Sequence, residues 1–330
     1  MRRNKAAAYI LCGISAAALF LLSLSAGAAR VGVGDVVRWL SGGAIPESSR
    51  IILAYVRLPR NAAAFMCGGA LALSGLLLQS GLNNPLASAG TVGVNAGAGF
   101  SAVLASVLFP GAFAAKPAAA FLGAFSTALL VYGVAKRIGA SRNVIILTGI
   151  ALSSLLSAAL DATVTLKPDS VLDRAAFFIG GFAHAELAPL RYALPCIAAG
   201  AVGAALLAPF LNALSLGDEV AHSLGVPVSA CRFLSLLCAA LLASSAVCVA
   251  GLLGFAGLLV PHAARFLVGR DHKALVPFTA LSGGVLVLGC DLLARVVFAP
   301  YELPVGILLS FLGAPFFLFL LFRKARGGAG

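Results

Sequence analysis

Charged side chains are scarce in this sequence. Only 10% of its 330 residues are Asp, Glu, Lys or Arg, against about 25% in an average soluble domain. A soluble globular protein and an intrinsically disordered chain are both excluded, because each needs far more charge than this. Apolar residues make up 61% of the chain and the mean hydropathy is +1.05. The composition is that of a protein that crosses a membrane many times.

Signatures of common catalytic and nucleotide-binding sites are also missing. No lysine follows a glycine, so the phosphate-binding loop GxxxxGK[ST] is absent, and HExxH, GxSxG and GxGxxG are absent as well. We therefore expect a non-catalytic chain that binds no cofactor and does not itself hydrolyse ATP.

Neither the histidines nor the cysteines are spaced as in a metal site. The four histidines lie far apart in sequence, and the seven cysteines form no CxxC motif. We interpret the cysteines, which lie almost entirely within apolar runs, as small packing residues, and we predict no metal site.

The formal net charge of +12 is spread over many short segments. Nucleic-acid binding is disfavoured, because the sequence has no basic block interleaved with aromatic residues. Membrane topology and anionic lipid explain the excess of positive charge better.

Ten apolar runs separated by charged residues, glycine and proline predict about ten transmembrane helices. The first run follows a basic start and ends in Ala26-Gly27-Ala28, like a signal peptide, but it is long for one and is read as a retained helix. The predicted fold is an all-α integral membrane protein, residues 1–330 forming one transmembrane domain. The predicted spans are 6–28, 61–82, 91–109, 117–135, 143–166, 190–210, 229–250, 255–268, 274–298 and 304–322.

The distribution of Lys and Arg favours a cytoplasmic start of the first helix. The region between the first and second spans conflicts with this bias, because five arginines lie there on the predicted outer side, which suggests that they have a function. They are Arg30, Arg38, Arg50, Arg57 and Arg60.

Two segments are too irregular to be simple spans. Residues 167–189 mix charge, glycine and proline, which suggests a short helix at the outer face. Residues 212–228 are polar, yet Leu216, Val220 and Leu224 recur at every fourth position, which predicts a short amphipathic helix on the inner face.

Ionisable residues within the spans are few. Asp161 lies near the outer end of the fifth span, and Asp291 and Arg295 are four residues apart, so they can pair along one helix face. A proton relay needs acidic groups at mid-depth, and the sequence offers no convincing one. The sequence therefore argues against ion-coupled transport and favours energy supplied by another subunit.

The motifs of the chain resemble those of the permease family of type II ABC importers for iron-siderophores, haem and vitamin B12. The resemblance runs from about residue 50 to 322. The motifs that carry it are Arg57-Leu-Pro-Arg60, Gly68-Gly-Ala-Leu-Ala-Leu-Ser-Gly75, Gln79, Asn84-Pro-Leu-Ala87, Leu214-Ser-Leu-Gly-Asp-Glu219, Leu224-Gly225, Gly251-Leu-Leu-Gly-Phe-Ala-Gly-Leu-Leu-Val-Pro-His262, Arg265, Asp291-Leu-Leu-Ala-Arg295, Glu302-Leu-Pro-Val-Gly306 and Gly313-Ala-Pro-Phe-Phe317.

The resemblance implies two permease subunits of about ten helices each around a central translocation path. The second subunit is an identical chain or a paralogue. The other implied partners are two ABC ATPase subunits, which use ATP and Mg²⁺ at the cytoplasmic face, and a substrate-binding protein outside. The implied location is the bacterial cytoplasmic (inner) membrane.

The resemblance also implies roles for individual residues. The segment 214–226 corresponds to the cytoplasmic coupling helix that docks into the ATPase, arginines on the outer face to the docking site for the binding protein, and the loops after the second and fourth spans to a cytoplasmic gate. The implied coupling residues are Leu216, Gly217, Asp218, Glu219, Ala221, Leu224 and Gly225; the docking residues are Arg57, Arg60 and Arg295; the gate residues are Asn84, Pro85, Leu86 and Ser141.

The hypothesis from the sequence is therefore a permease that imports an iron-siderophore by ATP-driven alternating access. Haem and cobalamin are alternative substrates in the same type of importer. A stand-alone secondary transporter and a structural or assembly protein of the membrane are the alternatives from other classes, and partner dependence distinguishes them.

Overall fold

The computed structural model describes residues 2–27, 31–109, 112, 115–139, 141–167, 174–183, 187–297, 299 and 301–327. The structure is 82% helical, and the described residues contain no strand. In chain order the helices are α1 (Arg2–Ser25), α2 (Val33–Leu40), α3 (Glu47–Ile51), α4 (Leu58–Gly81), α5 (Val94–Leu108), α6 (Ala115–Ile138), α7 (Arg142–Leu166), α8 (Arg174–Ile179), α9 (Leu187–Leu214), α10 (Asp218–Ser223), α11 (Val228–Ala250), α12 (Ala256–Val268), α13 (His272–Val296) and α14 (Val305–Gly327).

The ten predicted spans all correspond to helices. Among the described residues, seven helices are long and apolar enough to cross a membrane, and α5, α12 and the first part of α14 are shorter apolar helices. The second span is longer than predicted, because α3 and a π-helical turn, Ile52–Arg57, continue directly into α4. The prediction of an all-α membrane protein with about ten transmembrane helices is confirmed.

Helix α4 lies at the centre of the bundle, packed against α9, α11, α12 and α13. Apart from Ser74, it is apolar on all sides from Ala62 to Leu78, as expected for a helix surrounded by protein. Small residues permit close contact between backbones. A Cβ atom at Gly75 would overlap the carbonyl of Gly257 on α12, and one at Gly68 would overlap that of Gly283 on α13.

Small residues also join α5 to its neighbours. Gly93, just before α5, packs against Thr127 and Ser153, and Gly149 of α7 packs against the backbone of Thr91. These small residues let α5, α6 and α7 pack closely.

The two ends of the bundle carry different elements. Tyr9 of α1 donates a hydrogen bond to the carbonyl of Ala274 at the start of α13, and Arg295 at the end of α13 donates to Ser23 near the end of α1. Helices α1 and α13 therefore run in the same direction. We call the end with the loops 82–93, 215–227 and 269–271 and the start of α7 the α10 end, and the opposite end the α2 end.

A small second core lies at the α2 end. Leu24, Val31, Val36 and Leu53 are buried together, and Trp39 of α2 packs against them. The sequence predicts no helix between the first two spans, because α2 and α3 are each shorter than three turns.

The irregular segment 167–189 contains α8. The backbone amide of Leu252 donates to the carbonyl of Phe177 (2.9 Å), and that of Gly181 donates to the carbonyl of Ala250 (2.8 Å). This segment is therefore bonded to the link between α11 and α12. Residues 168–173 and 184–186, including His184, lie outside the described residues.

Candidate coupling site and gate at the α10 end

Helix α10 spans Asp218–Ser223 and is shorter than the predicted segment 214–226. Glycines on either side account for its limits, because Gly217 has φ +111° and Gly225 has φ +78°, values that favour glycine. A Cβ at either position would meet no atom within 4 Å, so the backbone conformation, and not lack of space, calls for glycine.

The large apolar residues of this segment face outward. Leu216, Val220 and Leu224 are 63%, 44% and 62% exposed, whereas Ala221 is fully buried. Glu219 is exposed beside them. We call these four exposed residues the α10 surface: an apolar patch with one carboxylate at the end of a membrane bundle.

Asp218 faces inward. Arg232 of α11 binds both of its carboxylate oxygens through Nη2, at 2.9 and 2.8 Å, and Arg142 of α7 lies 3.6 Å away from the same group. Asp218 therefore fixes α10 to two other helices.

Arg232 also reaches the end of α4. Its Nε donates to the carbonyl oxygen of Gly81 (3.2 Å), and its side chain is only 8% exposed. One guanidinium thus joins α10, α11 and α4. The sequence does not predict that Arg232 or Arg142 pairs with Asp218, because neither stands in a periodic relation to it.

The predicted gate residues form the turn that follows α4. The backbone amide of Asn84 donates to the carbonyl of Gln79 (3.0 Å), and its side-chain oxygen accepts from the amide of Leu86 (2.9 Å). Pro85 is exposed and Leu86 is 46% exposed. The turn is tightly bonded to α4 and presents Leu86 outward.

Ser141 begins α7 as its N-cap, where its side chain accepts from the amide of Val144 (3.4 Å). The next residue, Arg142, is the one that contacts Asp218. The structure therefore places this predicted gate loop beside α10.

A polar network centred on His272 joins three helices at the same end. Its ring nitrogens lie 2.7 Å from the Ser80 hydroxyl and 2.7 Å from the Asn212 side-chain oxygen. The Asn212 amide in turn donates to Asp271 (2.9 Å). This bond, together with one from the amide of Lys273, holds the pKa of Asp271 below its usual 3.8.

The three predicted docking arginines lie at the α2 end and are buried. Arg60, Arg57 and Arg295 are 6%, 3% and 3% exposed. Arg60 pairs with Asp291 (3.0 Å) and Glu302 (2.8 Å), and Arg295 pairs with Asp291 (3.0 Å), as its position one turn away predicted. Docking onto these arginines stays a prediction; in this chain they are bonded to other helices.

Comparison with known proteins identifies the family. Residues 15–323 match the FecCD transport family. The ferric enterobactin transport system permease protein of Escherichia coli (strain K12) is 39% identical over 313 residues, covering 93% of this chain and 92% of that protein. The cobalamin import system permease protein of Halobacterium salinarum is 36% identical over 278 residues, 84% of this chain and 75% of that protein.

The fold comparison agrees. A metal-chelate type ABC transporter solved in an inward-facing conformation superposes with a TM-score of 0.85 at 29% identity, over 98% of this chain and 100% of that chain. The chain therefore belongs to the FecCD transport family, and it is a multi-pass permease subunit of an ABC importer.

Proposed function

We propose that this permease moves an iron-siderophore or a related metal chelate into the cell by ATP-driven alternating access. Two ABC ATPase subunits at the α10 end use ATP and Mg²⁺, a second permease subunit completes the path, and a substrate-binding protein delivers the chelate at the α2 end. In this arrangement the α10 end faces the cytoplasm and the chain lies in the bacterial cytoplasmic membrane.

The observation that carries this proposal is the α10 surface. Three large apolar side chains project from a short helix and from the residues at its two ends, and this helix is fixed to α7 and α11 through Asp218. Exposed apolar residues at the end of a membrane bundle are costly unless a partner covers them. An ATPase groove would bury Leu216, Val220 and Leu224, and the fixed helix would pass its movement on to the permease.

A cleft of about 710 Å³ supports a path for a bulky, weakly held cargo. It lies between α5, α8 and α14, and its walls are mostly apolar, with Asn95 and Ser310 as polar exceptions. An apolar wall offers few specific bonds, so the external binding protein selects the cargo and the permease lets it pass.

The substrate class follows from the relatives. The ferric enterobactin permease is 39% identical to this chain. The cobalamin permease and the hemin transport system permease protein of Yersinia pestis are each 36% identical to it. We therefore place an iron-siderophore first, with haem and cobalamin as alternatives within the same proposal.

Docking of the binding protein is proposed for the α2 end, with Arg57, Arg60 and Arg295 as its predicted contacts. Arg60 is the least buried of the three, and its partner Glu302 has a side chain that is 33% exposed. A carboxylate of the binding protein would join or replace Glu302 at Arg60.

The test is transport by the purified complex. The chain, its co-purifying ATPase and binding protein are reconstituted in proteoliposomes and supplied with a ferric siderophore, haem or cobalamin. We expect ATP-dependent uptake of the siderophore that persists with a protonophore and is abolished when the phosphate-loop lysine of the ATPase is replaced. Uptake that follows a proton or sodium gradient without an ATPase would contradict the proposal.

A pair of variants tests the α10 surface. Leu216→Ser combined with Leu224→Ser should weaken ATPase binding by about tenfold or more, because apolar area that the complex buries is lost. Val37→Ser, an exposed apolar residue of the α2 end, is the matched control and should leave binding unchanged. Equal binding by both variants would contradict the role of the α10 surface.

A further inference from the structure

We infer that Arg232 is the positioning residue that carries movement of α10 to the gate turn. This inference rests on the proposed function, in which an ATPase displaces α10, and it adds the physical connection inside the permease. It also reassigns Asp218 from an ATPase contact to an internal anchor.

One guanidinium is bonded to two elements. Arg232 donates to both carboxylate oxygens of Asp218 and to the carbonyl of Gly81 at the same time. A planar guanidinium holds its donors at fixed angles, so a shift of one partner is passed to the other. A lysine ammonium on a flexible stem would not constrain both partners in this way.

Gly81 connects α4 to the gate turn. It is the last residue of α4, and the turn with Asn84, Pro85 and Leu86 follows directly. The body of α4 is packed against four helices and Ser80 is bonded to His272, so Gly81 is the residue at which the chain passes from the anchored helix into the turn. Movement of the Gly81 carbonyl therefore reorients the gate turn without displacing the helix.

The guanidinium of this link is buried, whereas its carboxylate is partly exposed. The side chain of Arg232 is 8% exposed and that of Asp218 is 36% exposed, so solvent screens the pair from one side only. Arg142, by contrast, is 38% exposed and lies 3.6 Å from Asp218. Arg142 steadies α10 from the side of α7, and it serves as the matched control for Arg232.

The experiment is hydrogen exchange of the full permease, with and without its ATPase and a nonhydrolysable ATP analogue. In the wild type we expect exchange to change in two segments, 217–224 and 82–88. In Arg232→Gln the change at 217–224 should persist and that at 82–88 should be lost, while Arg142→Gln should retain both. An unchanged response at 82–88 in Arg232→Gln would overturn the inference.

A second measurement separates folding from coupling. Arg232→Lys keeps a cation beside Asp218, so we expect it to fold and bind the ATPase normally and yet to import at least about fivefold less substrate per ATP. Normal import by this variant would overturn the inference.

The two proposals fail in different ways. If the wild-type chain binds no ATPase, both the proposed function and the link are overturned. If the ATPase binds and Asp218→Asn weakens that binding while Arg232→Gln does not, Asp218 is a direct ATPase contact and only the inference is overturned. We expect both variants to bind the ATPase as the wild type does.

Discussion

Buried arginines mark both ends of the bundle, and the groups they bind differ. At the α2 end Arg60 and Arg295 share Asp291, which is fully buried, and at the α10 end Arg232 holds Asp218, whose side chain is 36% exposed. A buried charge needs a partner, because its desolvation costs several kcal/mol. Charges within reach of solvent can exchange partners more readily, so the α2 cluster is suited to rigidity and the α10 link to movement.

Replacement of Arg60 tests the rigidity of the α2 cluster. Arg60→Gln should destabilise the chain by about 3–5 kcal/mol, because a charge of Asp291 is left without one of its two arginines. Glu302→Gln, which alters the half-exposed side of the same cluster, should cost less than about 1 kcal/mol. Thermal unfolding in detergent measures both, and equal losses would contradict the assignment of the buried pair.

Asp271 predicts a dependence of stability on pH. Its pKa is lower in the folded chain than in the unfolded one, so the carboxylate contributes stability that is fully present above the unfolded value near 3.8. That contribution is lost as the pH falls through the folded pKa. Asp271→Asn keeps a side-chain oxygen for the N-cap of α13 and should remove this part of the acid dependence. An unchanged profile of melting temperature between about pH 5 and 2 would contradict it.

Among the elements, α10 and α4 depend on glycine for opposite reasons. Gly217 is required by its backbone conformation with open space around it, whereas Gly75 is required by the carbonyl of Gly257 against it. The first kind of glycine determines where a short helix begins. The second determines how closely two long helices pack.

Gly217→Ala should displace the start of α10. Its φ and ψ, +111° and 158°, lie in a region used almost only by glycine, so alanine costs roughly 1–3 kcal/mol there. We expect weaker ATPase binding, measured by titration of the purified subunits. Gly13→Ala in α1, where a Cβ meets nothing within 4 Å, is the control and should bind normally.

Gly75→Val should separate α4 from α12. A side chain at this position overlaps the backbone of Gly257, which cannot yield as a flexible side chain would. We expect a lower melting temperature and less chain in the membrane. Gly133→Val on α6, where a Cβ meets nothing, should behave as the wild type, and a similar loss in both would contradict the close approach.

For the molecule as a whole, the sequence predicted what depends on long apolar runs. All ten spans and the helical class follow from hydrophobicity alone, because each span must satisfy its own backbone in lipid. The contacts that join the ends of the helices could not be predicted from hydrophobicity. Asp218 and Arg232 are 14 residues apart, and Arg60 and Asp291 are 231 apart, so only the folded arrangement of helices brings them together. Helices α2 and α3 were not predicted, because they are too short to give a periodic pattern.

The position of the single tryptophan gives the molecule a built-in reporter. Trp39 is the only tryptophan of the chain, and it packs on the small core at the α2 end. Fluorine NMR of a chain labelled with 5-fluorotryptophan should therefore give one resonance that shifts when the binding protein docks. That same resonance should not shift when the ATPase alone is added. One label therefore distinguishes docking of the binding protein from binding of the ATPase.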